Sequence, residues 1–114
     1  MLPHDDLVRL RHMIDYGQEA IALTTGKQRA DLETDHVLEL ALTRLLEMLG
    51  EAANRVSAET HQNYPRVPWR QIIGLRHRLV HGYDAVDLDI LWDIIEQDLP
   101  PLLATLEAII AGNQ

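Results

Sequence analysis

Two arginines, two histidines and a tyrosine lie close together in the stretch RHRLVHGY, residues 76–83. An imidazole titrates near neutral pH, so a histidine here could take a proton from a ribose 2′-hydroxyl or give one to a leaving oxygen. A guanidinium could stabilise the extra negative charge on a phosphorus centre. These residue types suit phosphodiester cleavage without a metal, with Arg76 and His81 as the candidate catalytic pair.

Arg76 falls on the apolar face of a predicted helix. At about 100° per residue, that face also carries the following side chains: Trp69, Ile72, Ile73, Val80 and Tyr83. An unpaired charge on a packed face is costly, so something anionic should meet it. That group could be a glutamate of this chain, with Glu51 in LGEAANR as the first candidate, a glutamate of a second chain, or a phosphate.

His81 follows Arg76 by five residues, which is about 140° around a regular helix, so the two side chains would not touch there. Gly82 at the helix end would let the backbone turn and bring His81 toward Arg76, with Tyr83 just beyond. One histidine per chain supplies both an acid and a base only where two copies meet about a two-fold axis. Otherwise His77 or Tyr83 must share the proton transfers.

Two other interpretations of the same residues remain open. In a purely structural one, Arg76 is an ion-paired core residue and His81 is a helix C-terminal histidine favoured by the macrodipole. In the other, His77 and His81, spaced i, i+4, bind zinc. A third ligand is then needed, and His61 is too distant in sequence to assign. Because four arginines in the same window would repel a cation, we expect no metal site.

Bulk composition predicts a single soluble domain spanning residues 1–114. The chain has no cysteine, which excludes disulfides and thiolate metal sites. Its N-terminus, MLPHDDLVRL, does not resemble a signal peptide, and no apolar run approaches the roughly 20 residues of a membrane span. We therefore expect a cytoplasmic protein.

Charge is distributed unevenly along the chain. The net charge is −8, yet residues 60–83 contain four arginines and no acid. That window carries +4, which leaves −12 for the remainder. An acidic body with one basic segment argues against a broad duplex-binding surface and is compatible with a local anion site.

Hydrophobic periodicity predicts four or five helices and no strand. The first runs from about Asp5 to about Thr25, with Gly26 as residue C′, and GKQRADLET is then a loop. The second begins after an N-cap at Thr34 or Asp35 and ends at NYPRVP, where two prolines interrupt it. Its apolar surface is wide enough for two packing partners, one of which could be a second subunit.

A third helix is predicted from Trp69 to about Val80, with Pro68 in its first turn and a stop near Gly82. Asp87 caps a fourth helix, whose apolar stripe keeps its register across Pro100 and Pro101. We expect a kink or a restart at those prolines. The predicted fold is an all-α, up-down helical bundle of four to five helices.

The segment VPWRQIIGLRHRLVHGYDAVDLDILWDIIEQDLPPLLATLEAI resembles the C-terminal half of the HepT toxins of the HEPN superfamily of helical ribonucleases. The Arg-x4-His-x-Tyr signature of that family matches Arg76, His81 and Tyr83. The preceding PW, the following D…LW…LP and the upstream LGEAANR match as well. The resemblance covers about Leu38 to Ile110, and the first helix loosely.

The resemblance implies a homodimer in which Arg76 and His81 are catalytic and the Arg/His sites of the two protomers face each other in a cleft at the interface. It implies a metal-independent, RNA-cleaving toxin of a type II toxin–antitoxin system that needs no cofactor. The acidic body suggests a narrow cleft that admits a single-stranded end or loop, and tRNA is the substrate we expect. The antitoxin would be an MntA-like minimal nucleotidyltransferase, which uses ATP to AMPylate Tyr83. The added phosphate would occupy and neutralise the anion site.

One departure from the family pattern concerns the residue after the motif arginine, which is often Asn and is His77 here. His77 could hydrogen-bond phosphate or act as a second proton carrier, so it is a candidate supporting residue. Glu51 and Asn54 in LGEAANR are further candidate supporting residues. The alternative function belongs to a different class: a non-catalytic helical subunit that docks a minimal nucleotidyltransferase and helps it bind nucleotide or substrate. An arginine on an apolar stripe together with the histidine favours the ribonuclease.

Overall fold

The computed structural model describes residues 1–81 and 85–113. In chain order the elements are α1 (His4–Thr24), α2 (Asp31–Thr34), α3 (His36–Arg55), α4 (Ala58–Asn63), α5 (Trp69–Ile73), α6 (Leu75–Leu79), β1 (Val80–His81), β2 (Ala85–Val86), α7 (Leu88–Asp93), a π-helical segment (Ile94–Asp98) and α8 (Leu99–Gly112). The all-α prediction is confirmed, with one small hairpin as an addition.

Helices α1 and α3 form the main pair of the bundle and pack along each other. Gly26 ends α1 with a φ of 78°, which matches its predicted role after the helix. Asp35 caps α3 by accepting a hydrogen bond from the Leu38 N–H at 3.0 Å. Two short helices were not predicted: α2 lies inside the expected loop, and α4 begins at an N-cap on Ser57.

The prediction of one continuous third helix is wrong. The helix is broken at Gly74 into α5 and α6. The buried side chains of this segment are Trp69, Ile72, Leu75 and Leu79, which form a different stripe from the expected one, and Arg76 is exposed. The expectation that Arg76 points into the protein core is therefore wrong for the single chain.

A short antiparallel hairpin follows α6, although the sequence predicted no strand. Val80 pairs with Val86, and His81 pairs with Ala85. The Asp87 N–H donates to the Leu79 carbonyl at 2.8 Å and closes the base of the hairpin. This pairing fixes where Val80 and His81 lie relative to Ala85 and Val86.

The C-terminal arm keeps one buried face through a change of helix type. Asp87 caps α7 as predicted, accepting from the Ile90 N–H at 3.0 Å. Because Pro100 and Pro101 have no N–H, they cannot donate to the carbonyls four residues earlier, and the π-helical segment lies directly before them. The sequence predicted a kink or a restart of the helix at the prolines, and the structure shows a π-helical segment there. The buried side chains of this arm are Leu91 in α7, Ile94 and Ile95 in the π-helical segment, and Leu99, Leu102, Leu103, Leu106 and Ile109 in α8.

Within the described part of the chain, no helix is both long and apolar enough to cross a membrane.

Candidate active site

The exposed Arg76 lines a cavity of about 260 Å³ between α3 and the α5–α6 segment. Its polar lining includes His77 from α6 and Glu47, Glu51 and Asn54 from α3. The structure therefore brings Arg76 together with all three residues that the sequence singled out as supporting candidates. Phosphate oxygens entering this cavity would meet a guanidinium, an imidazole and a carboxamide, with the carboxylates of Glu47 and Glu51 in the same lining.

Helix periodicity places the α3 groups in one row. Arg44, Glu47, Glu51 and Asn54 follow one another at spacings of three, four and three residues, so they share a face. The opposite wall needs close contact between backbones. A Cβ on Gly50 would lie 2.9 Å from the Ile72 carbonyl oxygen, so only glycine allows α5 to approach this closely.

A second cavity, of about 400 Å³, lies on the other side of the Arg76 side chain. Arg76 shares it with Leu40, Thr43 and Val80, among others. The described residues place no carboxylate within 4.0 Å of the Arg76 guanidinium, although Glu51 lines the same cavity. The predicted internal ion pair with Glu51 does not form at that distance, so the guanidinium can meet an external anion.

His81 lies at the edge of this region, on β1. Its side chain is 61% exposed, and its Nε2 atom lies 3.9 Å from Asp87 Oδ2. Successive side chains of a strand point to opposite faces, and it is the preceding residue, Val80, that lines a cavity with Arg76. Within one chain, the described cavities therefore group Arg76 with His77 and leave His81 at the solvent boundary. Tyr83 lies outside the described residues.

Sequence reasoning missed Arg44 and Glu47, which line both cavities with Arg76. They form a salt bridge of 3.5 Å along the surface of α3. Their spacing from Glu51 on the same helix face was the available signal. The charge of the cavity lining is consequently mixed, with the two arginines Arg44 and Arg76 and the two glutamates Glu47 and Glu51.

A metal site built from His77 and His81 finds no support in the side chains around them. In residues 1–81 and 85–113, no three His, Asp, Glu or Cys side chains are grouped so that they could hold a metal ion.

Comparison with known proteins places the chain among ribonucleases. The family model described as "Ribonuclease HepT-like" matches residues 13–109. No solved structure matches significantly.

Individual relatives agree with the family model. "Putative RNase TTE0752" of Caldanaerobacter subterraneus subsp. tengcongensis is 32% identical over 89% of this chain and 90% of its own length. "Putative RNase MJ1380" of Methanocaldococcus jannaschii is 27% identical over 88% of this chain and 92% of its own length. "Probable ribonuclease HepT" of Thermococcus cleftensis is 32% identical over 69% of this chain and 72% of its own length. This chain belongs to the HepT-like ribonuclease family.

Proposed function

We propose that this HepT-like ribonuclease is the toxin of a type II toxin–antitoxin system, that it cleaves RNA in the cytoplasm without a metal or cofactor, and that tRNA is its substrate. The observation that carries the proposal is the exposed guanidinium of Arg76 at a cavity that also holds His77 and Asn54. A charged side chain left facing solvent beside hydrogen-bonding groups is suited to an anionic ligand.

The proposed reaction uses the ribose 2′-hydroxyl as the nucleophile. One imidazole takes its proton while the 2′-oxygen attacks phosphorus, and the bond from phosphorus to the 5′-oxygen breaks. A second, protonated imidazole gives a proton to that leaving oxygen, so the products are a 2′,3′-cyclic phosphate and a 5′-hydroxyl. Arg76 stabilises the charge that develops on phosphorus. His81 is the proposed catalytic histidine, with His77 in support.

A homodimer would supply the second histidine. Exposed apolar side chains lie on α3 and α5: Val37 is 76% exposed and Leu40 is 53% exposed on α3, and Ile73 is 36% exposed on α5. Leu40 and Ile73 line the two cavities that Arg76 joins. A second copy that covers these residues would bury them. In a two-fold arrangement it would also bring its own His81 toward the cavities lined by Arg76.

Membership of the HepT-like ribonuclease family supports RNA as the substrate, and the charge distribution bears on which form of RNA fits. The basic window is short and the remainder of the chain carries −12, which disfavours a long duplex and suits a single-stranded end or loop of a folded RNA. For regulation, we propose that an MntA-like nucleotidyltransferase transfers AMP from ATP to the Tyr83 oxygen, with release of pyrophosphate. The new phosphodiester would carry its negative charge into the site that Arg76 serves.

Expression of the chain alone tests the proposal. Growth should stop, and Arg76→Ala or His81→Ala should restore it, whereas Arg70→Ala should remain toxic because Arg70 is exposed in the same basic segment but lines no cavity with Arg76. RNA from the arrested cells should carry cleaved tRNA with cyclic phosphate ends. A wild-type chain that is harmless without a partner and leaves RNA intact would support the non-catalytic docking subunit instead.

A further inference from the structure

A second basic cleft lies beside the candidate active site, on the other side of Glu51. It has a volume of about 210 Å³ and is formed between α1 and α3. Its lining comprises Arg9, His12, Tyr16, Met48, Glu51, Ala52 and Arg55. Glu51 also lines the Arg76 cavity, so the two hollows meet along the exposed surface of α3.

The residues that line this cleft follow the helical repeat on α1 and on α3. Arg9, His12 and Tyr16 follow one another by three and four residues on α1, and therefore share a face. Met48 and Arg55 are separated by seven residues on α3, which is again one face. Since α1 packs along α3, the two rows combine into one surface with an arginine from each helix.

The chemistry of the cleft matches a nucleotide. Neither Arg9 nor Arg55 has a carboxylate within 4.0 Å among the residues that the structure describes. Tyr16 and His12 are half-buried, and their ring centroids lie 6.3 Å apart with planes inclined by 49°. Two guanidinium groups beside aromatic rings are the combination that binds the backbone and bases of a single strand.

We propose that this cleft is a subsite for a nucleotide of the RNA beyond the scissile phosphate, with Arg9 and Arg55 holding its phosphate and Tyr16 stacking on its base. The inference rests on the proposed function, because it extends the RNA path from Arg76 across α3. Glu51 lies at the crossing point between the two hollows and is their shared acidic group.

Salt dependence of binding tests the subsite. A fluorescently labelled single-stranded oligouridylate would be titrated against the His81→Gln chain, so that cleavage does not interfere. Adding Arg9→Gln or Arg55→Gln should weaken binding and flatten the slope of log affinity against log salt by about 0.7 each, the value for one phosphate contact to a single strand. Arg11→Gln is the matched control, because Arg11 is exposed on the same helix and does not line the cleft.

Tyrosine variants separate stacking from charge. Tyr16→Phe keeps an aromatic ring and should bind like the parent, whereas Tyr16→Leu should lose about 5- to 150-fold in affinity with the salt slope unchanged. Slopes that stay the same in both arginine variants, or no RNA binding by the parent, would overturn the subsite. If those variants instead lose only the complex with the antitoxin, the cleft is a protein-docking surface. Growth arrest by the wild-type chain, relieved by Arg76→Ala, would still support the proposed function independently.

Discussion

The carbonyl oxygen of Ile72 lies 2.9 Å from the point that a Cβ on Gly50 would occupy, so α3 and α5 touch backbone to backbone. This contact lies at the cavity that holds Arg76 and His77 opposite Glu51. Because a backbone oxygen cannot swing aside as a flexible side chain can, the width of the candidate active site depends on a residue without a side chain.

Gly50→Ala should therefore move α5 away from α3. We expect a loss of about 1–3 kcal/mol in the free energy of unfolding, as overpacking usually causes, together with reduced RNA cleavage. Gly112→Ala is the control, since Gly112 is also helical and a Cβ there meets nothing within 4 Å. Urea unfolding measures the stability of both variants. Equal stability of the two variants would show that the α3–α5 contact can relax freely.

Asp6 should make stability depend on pH in the acid range. Burial raises the pKa of this carboxylate, but hydrogen bonds from Ser57 and Thr60, together with nearby His61, hold it below its ordinary value of 3.8. The bonds measure 3.0 Å from the Ser57 N–H and 2.5 Å from each of the two hydroxyls. They tie the first turn of α1 to the start of α4.

The direction in which stability changes with pH follows from the lowered pKa of Asp6 in the folded state. The contribution of Asp6 is complete above the unfolded pKa and is lost as the pH falls through the folded one. Asp6→Asn should destabilise the protein by about 2–4 kcal/mol at pH 7, because a buried charged acceptor is removed. The difference from wild type should shrink below pH 4, whereas the exposed Asp5→Asn should change little. Urea unfolding at several pH values across this range measures the difference in stability between Asp6→Asn and wild type. If that difference does not change with pH, the ionised carboxylate is not its cause.

Leu40→Glu should break the proposed homodimer, because it puts a charge on an exposed apolar side chain beside Arg76. We expect a folded monomer by sedimentation at micromolar concentration, with RNA cleavage lowered by at least about 100-fold, the usual contribution of a general acid or base. Leu23→Glu, at another exposed leucine on α1, should remain dimeric and active. Wild-type protein that sediments only as a monomer would end the shared-groove mechanism.

Tyr83 should carry AMP after co-expression with the cognate nucleotidyltransferase. Mass spectrometry of the peptide that contains it should show the addition of one or more AMP groups, with loss of RNA cleavage because the added phosphate competes for Arg76. Tyr83→Phe should escape modification and remain toxic, whereas Tyr64→Phe should still be modified and neutralised. An unmodified peptide from a neutralised pair would show that the antitoxin works by another route.

Local chemistry in the sequence was enough to predict much of the fold. Capping by Asp35 and Asp87 and the turn at Gly26 depend only on neighbouring backbone groups, so they could be predicted without knowing the partners of each helix. Apolar periodicity likewise predicted the helical class and the buried face that continues past Pro100. The family resemblance, later confirmed by the family match, rested on residue order alone.

Only the tertiary structure decided how the candidate site is built. Two apolar stripes run along residues 69–80, and the stripe that contains Arg76 was expected to be buried. The folded chain instead buries Trp69, Ile72, Leu75 and Leu79 and leaves the Arg76 guanidinium exposed. Which groups then meet it depends on the α3–α5 approach at Gly50, a contact between segments far apart in the chain. The spacing of Arg44, Glu47 and Glu51 shows that they share one face of α3, but it carries no information about which segment that face meets, so their place beside Arg76 was found only in the folded molecule.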